Sequence, residues 1–163
     1  MDTEKNLKTS IAGESQANRK YAAFAKKADE EGYPAVAKLF RAASEAEAIH
    51  AAAQLRAIGA VKSTAENLKA AIEGETYEFT QMYPGFIAKA EEEGSKQAKI
   101  AFNQANEAEK VHAALYTKVL DSLESKPEVE FYLCTVCGNI VENEAPDKCR
   151  ICNAPKKAFK KVE

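Results

Sequence analysis

Residues 45–50 read Glu45-Ala46-Glu47-Ala48-Ile49-His50, and sixty-two positions later residues 107–112 read Glu107-Ala108-Glu109-Lys110-Val111-His112. These two stretches hold the only two histidines of the 163-residue chain, each three residues after a glutamate. Spacing of three puts both side chains on one face of a helix. Ala46, Ile49, Ala108 and Val111 are apolar, so that face is expected to point at least partly inward. A glutamate there is costly unless it is paired or bound to metal.

The repeat extends well beyond the two motifs. Asn6-Leu7-Lys8 recurs as Asn67-Leu68-Lys69 and Gly13-Glu14 as Gly74-Glu75, at a shift of 61. Tyr21, Phe24, Gly32, Phe40, Glu45, Glu47 and His50 recur as Tyr83, Phe86, Gly94, Phe102, Glu107, Glu109 and His112, at a shift of 62. The chain therefore contains a duplicated helical hairpin, and a pseudo-two-fold axis between the copies would give anything on it matching ligands from both. The shift grows by one between Glu75 and Tyr83. A single extra residue in a helix predicts a π-bulge, a device frequent at functional sites.

Residues 1–123 are rich in Ala, Glu, Lys and Gln, a helix-forming composition. Breaks at Gly32-Tyr33-Pro34, around Gly59 to Thr64 and at Gly94-Ser95 divide them into four helices of roughly 25–30 residues. Ser63 and Glu66 have the spacing of a capping box. Apolar residues recur at three- and four-residue intervals in each helix, which predicts an antiparallel four-helix bundle. Glu124 to Glu128 forms a polar break, and residues 130–163 hold short β-type runs and turns. The expected organisation is a bundle over 1–124, a linker over 125–129 and a small β-rich domain over 130–163.

The other two helices offer Glu14 and Glu75, each after a glycine. One glutamate from each of two helices plus a Glu-x-x-His from each of the other two is the known ligand pattern of ferritin-like di-iron bundles. Carboxylates bridge two metals and change their mode of binding as the charge changes, and imidazole suits Fe(II). Glu78 lies three residues after Glu75 and breaks the two-fold pattern, because Gln16 or Ala17 stands at its counterpart. It is a candidate fifth carboxylate, against the blander reading of a surface charge. Tyr21 and Tyr83 follow Glu14 and Glu75 by seven and eight residues, which places them as hydrogen-bond donors to metal carboxylates or as core tyrosines.

All four cysteines fall in Cys134-Thr-Val-Cys137-Gly and Cys149-Arg-Ile-Cys152-Asn, two knuckles eleven residues apart. That is the pattern of a tetrahedral four-sulfur metal site. Gly138 and Asn153 stand where a left-handed backbone lets the knuckle amides face sulfur. Base rate favours structural zinc at such a site. Context favours iron, because a di-iron centre that turns over needs electrons.

The chain resembles rubrerythrins along nearly its whole length. The resemblance rests on Gly13-Glu14-Ser15-Gln16-Ala17, Glu47-x-x-His50, Glu75-x-x-Glu78 with Met82-Tyr83-Pro84, Glu109-x-x-His112, and rubredoxin-like knuckles ending in Asn153-Ala154-Pro155. It implies two non-haem iron ions held by Glu14, Glu47, Glu75, Glu78, Glu109 and His112, with His50 exchanging for Glu78 as the oxidation state changes. It implies a third iron on Cys134, Cys137, Cys149 and Cys152, a site that zinc also fits. The implied activity is reduction of hydrogen peroxide to water. No Gly-rich dinucleotide fingerprint is present, so a separate NAD(P)H-linked reductase or a rubredoxin is expected to supply electrons. A ferroxidase or iron-storage protein and a structural zinc module are the competing classes. An appended electron carrier argues against storage.

Composition excludes other classes. The net charge is -2 and no basic patch suggests nucleic acid. No apolar run is long enough for a membrane span, and the polar start, Met1 to Ser10, is not signal-like, so a cytoplasmic protein is expected.

The sequence also predicts a homodimer with exchanged hairpins. In a ferritin-like bundle the second and third helices run parallel, so their connection travels the length of the bundle. A second helix ending near Gly59 and a third starting near Asn67 require a climb of roughly 25 Å and a crossing of about 10 Å. Residues 59–67 reach only about 26–29 Å when stretched. The alternative is a crossover over residues 64–72, with the third helix starting at Gly74.

Overall fold

The computed structural model describes residues 2–163. The chain divides into two compact units, one ending at Lys62 and one running from Ser63 to Glu163.

The first unit is a hairpin of α1 (Asp2–Glu30) and α2 (Pro34–Ala57). Gly32 ends α1 with φ +79°, and its neighbours close the turn through Tyr33 N–H donating to Ala28 O at 2.8 Å. Pro34 then opens α2, where its fixed φ suits the first turn and its missing N–H costs nothing. Asn18 and Ser44 fasten the helices to each other. The Asn18 amide donates to Ser44 O (2.7 Å) and Ser44 Oγ (3.0 Å), and Ser44 Oγ donates to Asn18 O (2.8 Å). Phe24 and Tyr21 pack on Phe40 a turn further along.

The second unit repeats this plan. α3 (Thr64–Tyr77), a π-helical segment (Glu78–Met82) and α4 (Tyr83–Glu92) follow without interruption, and α5 (Lys96–Asp121) returns along them. Phe86 and Tyr83 pack on Phe102 as Phe24 and Tyr21 do on Phe40. The π segment lies where the repeat shift grows by one, and Tyr83 N–H donates to Glu78 O, a bond spanning five residues. The bulge absorbs the extra residue, so Glu75 and Tyr83 keep the face relation that Glu14 and Tyr21 have seven residues apart.

The capping box expected at Ser63 is formed. Ser63 Oγ accepts from Glu66 N–H, and Glu66 Oε2 accepts from Ser63 N–H at 3.2 Å. α3 therefore starts at Thr64, three residues before the start near Asn67 used above. A separate crossover over residues 64–72 is ruled out, because those residues lie inside α3. The cap and a helix-favouring composition outweigh the glycine at position 74.

A short 3-10 turn, Leu123–Ser125, ends the helical part. Three antiparallel strands follow in the order β2 (Ile140–Glu142), β1 (Phe131–Cys134), β3 (Phe159–Val162). Tyr132 pairs with Val141 on one side and Lys161 on the other. The fold class is the expected one: four long helices of the bundle type and a small sheet bearing four cysteines. No helix among the described residues is long and apolar enough to cross a membrane.

Candidate metal centre

In the first hairpin, Glu14 on α1 meets Glu47 and His50 on α2, with one donor atom from each lying within 4.8 Å of the others. His50 Nδ1 stands 2.8 Å from Glu47 Oε2. Ile49 and His50 are exposed in this chain, so this stretch of helix faces less inward than its apolar flanks suggest.

In the second unit, Glu75 on α3 meets Glu109 and His112 on α5 within the same 4.8 Å limit. His112 Nδ1 is 2.7 Å from Glu109 Oε2 and 4.0 Å from Glu75 Oε1. His112 Nε2 lies 2.9 Å from Gly138 O. A carbonyl can only accept, so Nε2 carries the proton in that bond. In the neutral ring Nδ1 then presents a lone pair toward an anionic oxygen. Two such acceptors at 2.7 Å need a cation or a proton between them, and the donor set suits a metal ion.

The electrostatics of this half agree. Burial, a hydrogen bond with Glu109 and the Glu109 charge push Glu75 up to about 7, against a smaller opposing pull from His112. Glu78 is also raised, by burial and then by the charge on Glu75. Tyr83 is raised by burial and by Glu78, Glu109 and Glu75, so it stays a phenol beside three carboxylates. Glu78 is thus electrostatically tied to Glu75, but it stands outside the three-residue cluster. Tyr21 contacts Phe24 and Phe40 with its ring.

Cys134, Cys137, Cys149 and Cys152 converge in the small domain as free thiols. Cys134 Sγ to Cys152 Sγ is 3.7 Å and Cys137 Sγ to Cys149 Sγ is 3.6 Å. A tetrahedron with metal–sulfur bonds of about 2.3 Å has sulfur edges of about 3.8 Å, so one ion fits. Gly138 and Asn153 have φ of +79° and +60°, the left-handed geometry expected after each knuckle. Burial alone would raise the Cys149 thiol. The N–H groups of Cys152 and Ile151 and the neighbouring thiols outweigh it and hold Cys149 at about 7. Burial pushes Cys137 well up instead.

Three participants were not legible in the motifs. Asn139 is fully buried, and its amide lies 3.8 Å from Cys149 Sγ as a donor. The Gly138 carbonyl is the acceptor for His112 and belongs to the residue after Cys137. Tyr116 is raised by burial and by the charges on Glu75 and Glu109, so its hydroxyl shares their field. Only its place seven residues after Glu109 on the same helix could have marked it.

The Rubrerythrin family pattern matches residues 5–120, and the pattern of the rubrerythrin rubredoxin-like domain matches residues 132–160. The chain belongs to the rubrerythrin family. It is 39% identical to nigerythrin of Nitratidesulfovibrio vulgaris over 171 positions, covering 96% of this chain and 85% of that one. It is 34% identical to a rubrerythrin of Porphyromonas gingivalis, covering 99% and 90%. A mixed-valence nigerythrin structure matches with a TM-score of 0.60 at 40% identity, over 98% of this chain and 86% of that one. A fully reduced, all-ferrous nigerythrin matches at 0.61 and 38%, with the same coverage. The nigerythrin alignment spans 171 positions while using 96% of 163 residues, so within that span nigerythrin holds about 15 residues that this chain lacks.

Proposed function

We propose that this protein reduces hydrogen peroxide to water at a di-iron centre, with electrons arriving through an iron ion on the four cysteines. One observation carries the reading. The imidazole of His112 holds the Glu75 and Glu109 carboxylates on its Nδ1 side and the main chain beside Cys137 on its Nε2 side. A storage protein has no use for such a connection, and a structural zinc module has no use for the carboxylates.

Two electrons and two protons convert one hydrogen peroxide into two waters. Iron bound between the carboxylates would supply the two electrons by passing from the ferrous to the ferric state. Glu14, Glu47 and His50 would hold it from one hairpin, and Glu75, Glu109 and His112 from the other. Glu78, next to Glu75 in charge and sequence, is the reserve carboxylate, and an exchange between Glu78 and His50 would match the change in metal charge. Tyr83 keeps its hydroxyl proton beside Glu78, Glu109 and Glu75 and can donate a hydrogen bond to them. The Gly138 carbonyl fixes the tautomer and plane of His112, as outer partners of metal-bound histidines do. The knuckle N–H groups and the Asn139 amide offset thiolate charge on sulfur.

The cysteine iron would return electrons one at a time from an external reductase or rubredoxin. Four clustered cysteines used for metal rather than disulfides support a reducing compartment such as the cytoplasm.

The test is metal analysis of natively purified protein, a visible spectrum, and a peroxidase assay coupled to NAD(P)H through a rubredoxin reductase. The expected result is red, iron-loaded protein that consumes peroxide. Colourless, zinc-loaded protein without turnover would support the structural reading instead. Ferrous iron oxidation that accumulates ferric mineral, with no peroxide consumed, would support the ferroxidase reading.

A further inference from the structure

One peptide group touches both candidate metal sites of the second unit. Its carbonyl, on Gly138, accepts from His112 Nε2–H at 2.9 Å. Its N–H, on Asn139, donates to Cys137 Sγ. The peptide is trans, so the carbonyl and the N–H point in opposite directions. The imidazole and the sulfur therefore stand at the two ends of a single dipole.

The surroundings hold this peptide in place. Gly138 N–H donates to Cys134 O at 3.0 Å, and Asn139 O accepts from Cys134 N–H at 2.8 Å, so the backbone groups on either side are engaged within the knuckle. Lys118 on α5 pairs with Glu142 on β2 at 2.6 Å, which fastens the sheet to the helix that carries His112. Asn139 is fully buried, which keeps water from competing for its N–H. The second knuckle is built differently. Ala154 N–H donates to Cys152 Sγ in the same way. Among the described residues, however, no hydrogen bond reaches the carbonyl of that peptide, on Asn153.

A positive charge on the Nδ1 side of His112, where Glu75 and Glu109 lie, draws electrons from the ring and makes Nε2–H a stronger donor. The tighter bond to the carbonyl polarises the peptide, and its N–H becomes a stronger donor to sulfur. Linked hydrogen bonds strengthen one another in this way by about 10–30%. A donor aimed at sulfur favours the reduced form of a cysteine-bound iron, which carries one more negative charge.

We propose that the Gly138–Asn139 peptide couples the two sites, so that positive charge gained among the carboxylates raises the electron affinity of the cysteine site. That fraction of a bond to a charged group amounts to about a two-fold change in electron affinity. The coupling is reciprocal: a reduced cysteine site makes His112 Nδ1 a better metal ligand by the same factor. Its consequence for turnover rests on the function proposed above. The cysteine site takes up an electron most readily when the carboxylate centre is oxidised and short of electrons.

The test reads the amide proton resonances of Asn139 and Ala154 in full-length, isotope-labelled protein with zinc on the cysteines, where no unpaired electron broadens them. His112→Phe removes the donor to Gly138 O and should move the Asn139 resonance upfield, while Ala154 stays in place. In the parent protein, zinc added to the carboxylate centre should move Asn139 downfield, again without Ala154. With iron on the cysteines, His112→Phe should about halve the electron affinity, a fall of about 18 mV at about 59 mV per tenfold. An unmoved Asn139 resonance in folded His112→Phe would overturn the coupling. Equal movement of both amides on zinc addition would also overturn it, because a direct field does not distinguish the knuckles. Zinc that leaves the carboxylates empty would overturn the metal reading instead, and His112→Phe then decides the coupling by itself. Should that variant fail to fold, the zinc titration of the parent protein decides it.

Discussion

Replacing Asn139 with alanine should lower the midpoint potential of iron on the four cysteines. The side chain is fully buried and its amide donates toward Cys149 Sγ at 3.8 Å. A donor aimed at sulfur stabilises the reduced site, which carries one more negative charge, more than the oxidised one. At 3.8 Å the bond is long, so the difference between oxidation states should be on the order of 1 kcal/mol, at the weak end for bonds to charged groups. For a one-electron couple about 1.4 kcal/mol corresponds to 59 mV, so the expected fall is about 40 mV. Folding should suffer little beyond the small cavity. The Asn139 side-chain oxygen is buried without a partner, and alanine removes it together with the amide. The assay is a spectroelectrochemical titration of full-length protein followed at the ferric thiolate band. Asn139→Asp, which keeps the shape but can only accept when ionised, should lower the potential further. A potential unchanged within about 10 mV in Asn139→Ala would refute the reasoning, since alanine has no donor to offer.

Glu78→Ala should leave helix content and fold intact but impair peroxide turnover; full activity at full iron loading would remove Glu78 from the centre. Ser63→Ala should cost about 1 kcal/mol by breaking the capping box at the head of α3, measurable by urea unfolding, and an unchanged midpoint would show that the cap is not stabilising. In metal-free protein Glu75 titrates near 7 when folded and near 4.5 when unfolded. The folded state therefore holds the proton more tightly, and this carboxyl's contribution is full below about pH 4.5 and is lost as pH rises through about 7. Glu75→Gln should flatten the thermal-melt slope over that window; a slope identical to the parent protein's would assign the pH dependence elsewhere.

The helical part was legible because its signals are local or periodic. Glycine stops at Gly32, Gly59 and Gly94, the Ser63–Glu66 pair and the duplicated Glu-x-x-His lie within a turn or two of what they determine. The π segment was legible from counting alone, as one residue too many between two equivalent glutamate–tyrosine pairs. The start of α3 was misplaced because repeat alignment pointed to Asn67, whereas the cap sits four residues earlier and sets the boundary. Asn139 was missed because a polar residue inside a cysteine loop looks like any turn residue until the fold buries it. The Gly138 contact was out of reach for a different reason: residues 112 and 138 meet only through tertiary packing, and the atom involved is not a side chain.

That last feature bears on how the chain can change over generations. An acceptor that belongs to the main chain is present whatever the codon, so no single substitution at position 138 deletes it. The residue is nevertheless not free to drift, because φ of +79° there strains most side chains, and the equivalent position after the second knuckle is held by Asn153, one of the few other residues that accept a left-handed backbone. Selection at this position would therefore record the bend of the knuckle. The contact with His112 would be inherited along with the bend, leaving no side chain of its own by which an alignment of descendants could reveal it.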